Sequence, residues 1–197
     1  QLTVGRQNAE AYFSFSGTKL IFQSTNDWTK GPNAATLKPA DAGLGCYQMY
    51  VLDLDNDTVR LVSAGTGATT CGFFFLGDRR ALYSSTHASG PNCPPKPKRE
   101  GAYRWALDDY DIYAVGLDGQ ELQRLTSTPG YDAEATISPD GKTIVWTSVK
   151  DGDLDLYAMN LDGSKPRRLT SDIGYDGGAF FSPDSKRIVY RAAHPTD

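Results

Sequence analysis

A motif that returns along the chain in fixed order constrains it more than any other feature. Its fullest copy opens with Tyr131-Asp132-Ala133-Glu134, reaches Ser138-Pro139-Asp140-Gly141-Lys142 and continues through Thr143-Ile144-Val145-Trp146-Thr147-Ser148. It then reads Leu156-Tyr157-Ala158-Met159-Asn160-Leu161-Asp162-Gly163 and closes on Arg167-Arg168-Leu169-Thr170. The same events occur upstream. Asp111-Ile112-Tyr113 leads to Leu117-Asp118-Gly119 and Arg124-Leu125-Thr126, and Met49-Tyr50-Val51-Leu52 leads to Arg60-Leu61-Val62. Tyr50, Tyr113 and Tyr157 are therefore equivalent. Repeats of this length signal units that cannot bury their apolar surface alone and must stack on their neighbours.

Each copy reads as four short strands. The first ends at a Pro-Asp-Gly turn, where Pro presets φ and Gly accepts a positive φ, so the chain reverses into an adjacent antiparallel strand. The second is β-branched and aromatic, the third alternates with period two around Leu156, Tyr157 and Met159, and a short fourth follows the Leu-Asp-Gly turn. Four short antiparallel strands per unit make a propeller blade. The expected fold class is all-β: a β-propeller of four-stranded antiparallel blades. The expected blades span about 7–62, 69–126 and 133–170. Residues 177–191 supply two strands of a partial blade, and Gln1-Leu2-Thr3, which matches Arg168-Leu169-Thr170, reads as a stray outer strand. About three complete blades plus partial ones describe an incomplete propeller or arc, with a self-closed four-bladed ring as the alternative.

Ser-Pro-Asp-Gly-Lys at 138–142, Leu-Tyr-x-Met-x-Leu-Asp-Gly at 156–163 and Arg-Arg-Leu-Thr at 167–170 resemble the signature of the TolB-like β-propeller repeat family. The resemblance covers nearly the whole chain outside two inserts, and Leu76-Gly77-Asp78 departs from it most. It implies the fold, a periplasmic or otherwise extracytoplasmic location and protein partners in the cell envelope. It implies no catalytic residues, because the signature residues make turns and contacts between blades.

Two inserts, 25–45 and 86–109, lengthen the connection between second and third strands in the first two blades. Loops this long are usually functional. In the second, Cys93-Pro94-Pro95-Lys96-Pro97-Lys98-Arg99 is a stiff basic segment suited to docking an acidic partner, and Tyr103 and Trp105 add aromatic surface. Pro94, Pro95, Lys96, Lys98, Arg99, Tyr103 and Trp105 are thus the candidate partner-binding residues.

Cys46 ends the first insert, Cys71 lies in an inner strand and Cys93 lies in the second insert, so the register gathers the three cysteines on one face. The expected disulfide joins Cys71 to either Cys93 or Cys46, with three buried free thiols as the alternative. Structural disulfides persist in oxidising compartments. Glu10, Cys71, Glu134 and Gly178 are equivalent positions at the mouth of the central channel. Glu10, Asp132, Glu134 and Asp176, with His87, form a mildly acidic set that is at most a weak candidate for a cation such as calcium. The plainer reading of these carboxylates is that they cap turns and pair between blades.

Other chemistry is not supported. A net charge of −4 argues against a nucleic-acid surface, and no stretch approaches the apolar length of a membrane span. The Asp-rich runs at 53–57 and 151–155 lack the Gly and closing Glu of a calcium loop and fall on repeat turns. Neither His87 nor His194 stands in a catalytic context. The reading is a non-catalytic binding or scaffold module that makes protein–protein contacts, with a place as a peripheral subunit on the outer face of a membrane complex as its specific form. The alternative is the propeller portion of a larger enzyme, such as a peptidase whose catalytic domain lies elsewhere.

Overall fold

The structure, a computed structural model, describes residues 7–25, 27–28, 45–95 and 106–195. Gln1-Leu2-Thr3, expected as an outer strand, lies outside the described residues. Fourteen described strands form four antiparallel sheets. The first sheet is β1 (Asn8–Phe13), β2 (Lys19–Ser24), β3 (Gln48–Asp53) and β4 (Thr58–Leu61), in that order across the sheet. The second is β5 (Thr69–Phe74), β6 (Arg80–Ser85), β7 (Asp111–Gly116) and β8 (Gln123–Arg124). The third is β9 (Asp132–Ile137), β10 (Thr143–Ser148), β11 (Asp155–Asn160) and β12 (Arg167–Arg168). The fourth has two strands, β13 (Tyr175–Phe181) and β14 (Ile188–Ala193). This is an incomplete propeller: β1, β5, β9 and β13 are the inner strands and pack on one another in sequence.

The repeat is visible residue by residue. Tyr50, Tyr113 and Tyr157 each lie opposite an aromatic residue of the neighbouring second strand: Phe22, Tyr83 and Trp146. Period-two alternation sends one face of every sheet forward and the other back. Ile21, Met49 and Val51 meet Phe74, Tyr83 and Tyr113 between the first and second sheets. Leu82, Ile112 and Ala114 meet Ile137, Trp146 and Tyr157 between the second and third. Val145 and Leu156 meet Ala179, Phe181 and Ile188 between the third and fourth. Burying a side chain of this size contributes roughly 1.5–3 kcal/mol, so these seams hold the sheets in register.

Polar devices repeat as well. At the start of the third strand, the Ile112 and Leu156 amides donate to Thr126 and Thr170 hydroxyls, both 2.9 Å, while Asp111 and Asp155 pair with Arg124 and Arg168. The first sheet does this without charge: the Met49 amide donates to Ser63 Oγ (3.0 Å), which donates to Gln48 Oε1 (2.8 Å). The hairpin between first and second strands also reaches its neighbour. Asp78, where the repeat departs from Ser-Pro-Asp-Gly, accepts the Phe15 and Ser16 amides of the preceding sheet, both 2.9 Å. Ser185, at the same position, accepts the Asp140 amide at 3.0 Å. It has one such donor because the residue before Asp140 is Pro139, which carries no N–H.

Candidate functional site: an axial cup beside a bridged loop face

Each inner strand contains a bulge, marked by a register break at Ala9/Tyr12, Thr70/Phe73, opposite Val145/Thr147 and at Gly177/Phe180. One residue in each bulge is left-handed: Glu10 (φ 50°), Cys71 (φ 53°), Glu134 (φ 57°) and Gly178 (φ 62°). A side chain there costs of order 1–2 kcal/mol relative to glycine, and hydrogen bonds between sheets offset it. Glu10 Oε2 accepts the Cys71 amide at 3.0 Å and the Thr70 hydroxyl at 3.2 Å. The Glu134 amide is directed at the Cys71 sulfur. Glu134 Oε2 accepts the Gly178 amide at 2.9 Å, with the Thr147 and Tyr175 hydroxyls at 2.8 and 3.0 Å. Each bulge side chain thus holds the bulge of the next sheet, and the series stops at Gly178, which has no side chain to extend it. Arg191 of β14 occupies that gap: a Cβ on Gly178 would lie 3.3 Å from its Nε.

The bulges enclose a cup of about 210 Å3 on the axis. Glu10, Cys71, Glu134 and Arg191 stand around it, with Tyr12, Phe73 and Phe180 as its aromatic lining. Those three rings meet across three sheets, with centroids 5.7–6.3 Å apart. The Arg191 guanidinium donates to the Tyr175 hydroxyl (3.0 Å) and lies 3.6 Å from Glu134 Oε1. Burial pushes the Cys71 thiol well up, and the Glu10 carboxylate adds to the effect, so the sulfur is protonated near neutral pH. Burial, followed by the Glu134 charge, pushes Tyr175 up to about 12.

The remaining candidate cation ligands are not brought to this cup. Asp132 is buried within its sheet, accepting Trp146 Nε1 at 3.0 Å and the Thr128 hydroxyl at 2.6 Å. Asp176 is buried against His194, whose Nε2 lies 2.9 Å from Oδ1. His87 packs on the Tyr113 ring with centroids 4.2 Å apart, its Nδ1 at 2.9 Å from Ser85 Oγ. Burial and then the Arg124 charge lower its pKa. Among the described residues, no three His, Cys, Asp or Glu side chains converge as metal ligands.

The cysteine expectation is corrected. The disulfide joins Cys46 to Cys93, Cα atoms 5.6 Å apart, and Cys71 is free. The reason is direction. The bulge turns Cys71 toward the axis, whereas Cys46 and Cys93 lie out on the loops, at a separation that a disulfide spans. Gly67 gathers the strands of this loop face: its amide donates to the Pro91 carbonyl (2.9 Å) and its carbonyl accepts Gln48 Nε2 (2.7 Å). In the later sheets the matching position is held by a carboxylate: Asp109 accepts the Gly130 amide and Asp153 the Gly174 amide, both at 2.7 Å. Cys46 stands at that position in the first sheet. Of the partner-binding candidates, Pro94 is half-buried and Pro95 exposed, next to the bridge. Lys96, Lys98, Arg99, Tyr103 and Trp105 lie outside the described residues.

Sequence reasoning overlooked Arg191 and the Asp109 and Asp153 latches. The latches carry a detectable signal, an Asp two residues before the third strand in two copies. Arg191 carries none, because it lies in the only copy with glycine at the bulge.

Comparison with known proteins places this geometry. The TolB beta-propeller domain family matches residues 86–195, more than half of the chain. No curated protein matches the sequence. A structure from Agrobacterium tumefaciens assigned to TolB is similar with a TM-score of 0.70 and 17% identity, over 98% of this chain and 58% of its own. TolB from Acinetobacter baumannii is similar with a TM-score of 0.66 and 18% identity, over 94% of this chain and 37% of its own. An oligogalacturonate lyase in complex with manganese is similar with a TM-score of 0.57 and 16% identity, over 94% of this chain and 46% of its own. The chain thus spans about half or less of the length of these structures, and at such identities the likeness is one of fold.

Proposed function

Because this chain belongs to the TolB beta-propeller domain family, we propose that it works as a non-catalytic, extracytoplasmic binding module that docks a protein partner on its bridged loop face. The observation that carries this reading is the Cys46–Cys93 bond, which ties the insert of the first sheet to that of the second. A bond between two long loops of adjacent sheets stabilises mainly by constraining the unfolded chain rather than by adding to the packed seams below it. It does preorganise a surface, and preorganisation reduces the ordering cost of binding. The bond also suits an oxidising compartment such as the periplasm. Among the described residues no helix is long and apolar enough to cross a membrane.

The test replaces residues 94–99 with a Gly/Ser run of equal length and compares cross-linked partners from native envelope fractions with those of the wild type. Loss of a specific partner with unchanged circular dichroism and melting supports the dock. An identical partner profile removes the loop face from consideration. A second reading, the propeller portion of a larger enzyme, draws support from the lyase neighbour and from the fraction of the matched structures that this chain spans. The intact mass of the native gene product and hydrolase or lyase assays on it separate the two readings.

A further inference from the structure

The axial cup plays no part in docking on the loop face, and its polar groups are unequally occupied. Glu134 is saturated: its Oε2 accepts three donors and its Oε1 faces Arg191. Arg191 is in turn neutralised by Glu134 and lies over the Tyr175 ring, 5.5 Å from its centroid. The Thr136 hydroxyl is spent on the Ala179 carbonyl at 2.7 Å. Glu10 differs. Its Oε2 holds the neighbouring bulge, and its Oε1 accepts nothing from the described residues. A carboxylate with one free oxygen and no ion-pair partner among the described residues therefore faces a cavity lined by Tyr12, Phe73 and Phe180.

We propose that the axial cup binds an organic cation, an ammonium or guanidinium group on a short apolar stem, with Glu10 as counter-ion and the three aromatic rings as its walls. Sign, size and donor set lead to this class. A carboxylate and ring faces both attract positive charge, the rings acting on a cation within about 6 Å of their centroids. A volume of about 210 Å3 is on the order of seven waters' share at about 30 Å3 each, room for a charged head and a few carbons. A bare calcium ion is the wrong guest, since it takes six to eight oxygens and Glu10 contributes one. An anion is also the wrong guest, because Arg191 is already paired.

The free thiol reports occupancy, since Cys71 lines the cup while Cys46 and Cys93 are bonded to each other. The experiment follows alkylation of Cys71 by N-ethylmaleimide with n-butylammonium chloride, n-butylguanidinium chloride or sodium butyrate present, and measures affinity for the same probes by calorimetry. Both cations are expected to slow alkylation at least threefold and butyrate to leave it unchanged. Glu10→Gln, which keeps an oxygen for the Cys71 amide, is expected to weaken cation binding at least tenfold. Tyr12→Leu, which touches none of the Glu10 hydrogen bonds, is expected to weaken it about two- to fivefold, the equivalent of the lower cation–π range. Absence of cation protection in the wild type, equal protection by butyrate, or undiminished binding in folded Glu10→Gln each overturns the proposal. If Glu10→Gln does not fold, undiminished binding in Tyr12→Leu overturns it.

Discussion

Phe13 and Val189 mark the two ends of the arc, and the ends are finished differently. Phe74 and Ile137, the equivalents of Phe13, are buried against the preceding sheet, while Phe13 is 64% exposed. Ile21, Leu82 and Val145 are fully buried against the following sheet, while Val189 at the same repeat position is 69% exposed. Beyond these two residues the symmetry ends. The backward face of the first sheet, Leu20, Phe22, Tyr50 and Leu52, is buried in a cluster with Trp28. That tryptophan comes from the first insert. It meets Phe22 edge-on at 6.3 Å and donates its Nε1 to Ser24 Oγ at 3.0 Å. The forward face of the fourth sheet has no such cover among the described residues, and on its backward face Tyr190 is exposed at the position where Phe22, Tyr83 and Trp146 are buried. Among the described residues β14 also has no third strand of the kind that β2, β6 and β10 pair with. A stacked array needs atypical terminal units that shield its last apolar face. Here Trp28 of the first insert covers the first sheet's backward face, whereas the fourth sheet's forward face has no such cover among the described residues.

The sharpest break in this comparison is Trp28→Ala. Removing a buried aromatic that closes an apolar face is expected to cost about 3–5 kcal/mol, read as a fall in the denaturation midpoint. A cost below about 1 kcal/mol would mean that Trp28 does not close that face. Next comes a pair at one repeat position: Leu82→Ala is expected to cost about 2–5 kcal/mol, and Val189→Ala to stay within about 0.5 kcal/mol. Similar losses at both sites would show that the fourth sheet is covered in solution. Converting Cys46 and Cys93 to Ser, which opens a loop with a sequence separation of 47, is expected to cost about 2–4 kcal/mol. Chemical denaturation of the double variant, with Trp28 fluorescence as a probe, would show whether the cap loosens first.

The smallest expected effect concerns Asp78. Burial opposes its ionisation, but hydrogen bonds from Ser16 and Phe15 outweigh that and hold its carboxyl below the usual range. A folded pKa below the unfolded one gives stability that is present above about pH 4 and is lost as pH falls through the folded value. Asp78→Asn, which keeps one acceptor of two, is expected to cost about 1 kcal/mol at pH 7. It should also reduce the loss of stability on acidification from pH 4 to 2, measured by thermal melts across that range. An unchanged acid limb would show that this hairpin contact does not couple the first two sheets.

The class of fold was legible because its determinants are local. Turn chemistry at Ser138-Pro139-Asp140-Gly141 and Ser182-Pro183-Asp184-Ser185, and period-two alternation in the strands between turns, act over about a dozen residues and repeat. The equivalence of Glu10, Cys71, Glu134 and Gly178 was legible for the same reason, and in the structure all four are left-handed bulge residues. What they do there was not legible. A bulge redirects one side chain without leaving any mark on composition, so Cys71 read as a disulfide partner when it lines the axis. The role of Arg191 depends on β14 lying antiparallel to β13, which sets the guanidinium over Gly178.

By itself, then, the amino-acid sequence determined that this chain makes short antiparallel sheets which must stack, because turn residues and alternation act through neighbours a few bonds away. Only the tertiary structure decided which cysteines meet, which sheet face is covered by a tryptophan, and which carboxylate oxygen around the axis accepts nothing from the described residues. Those outcomes rest on the directions of side chains brought together from distant parts of the chain, and such directions follow from packing.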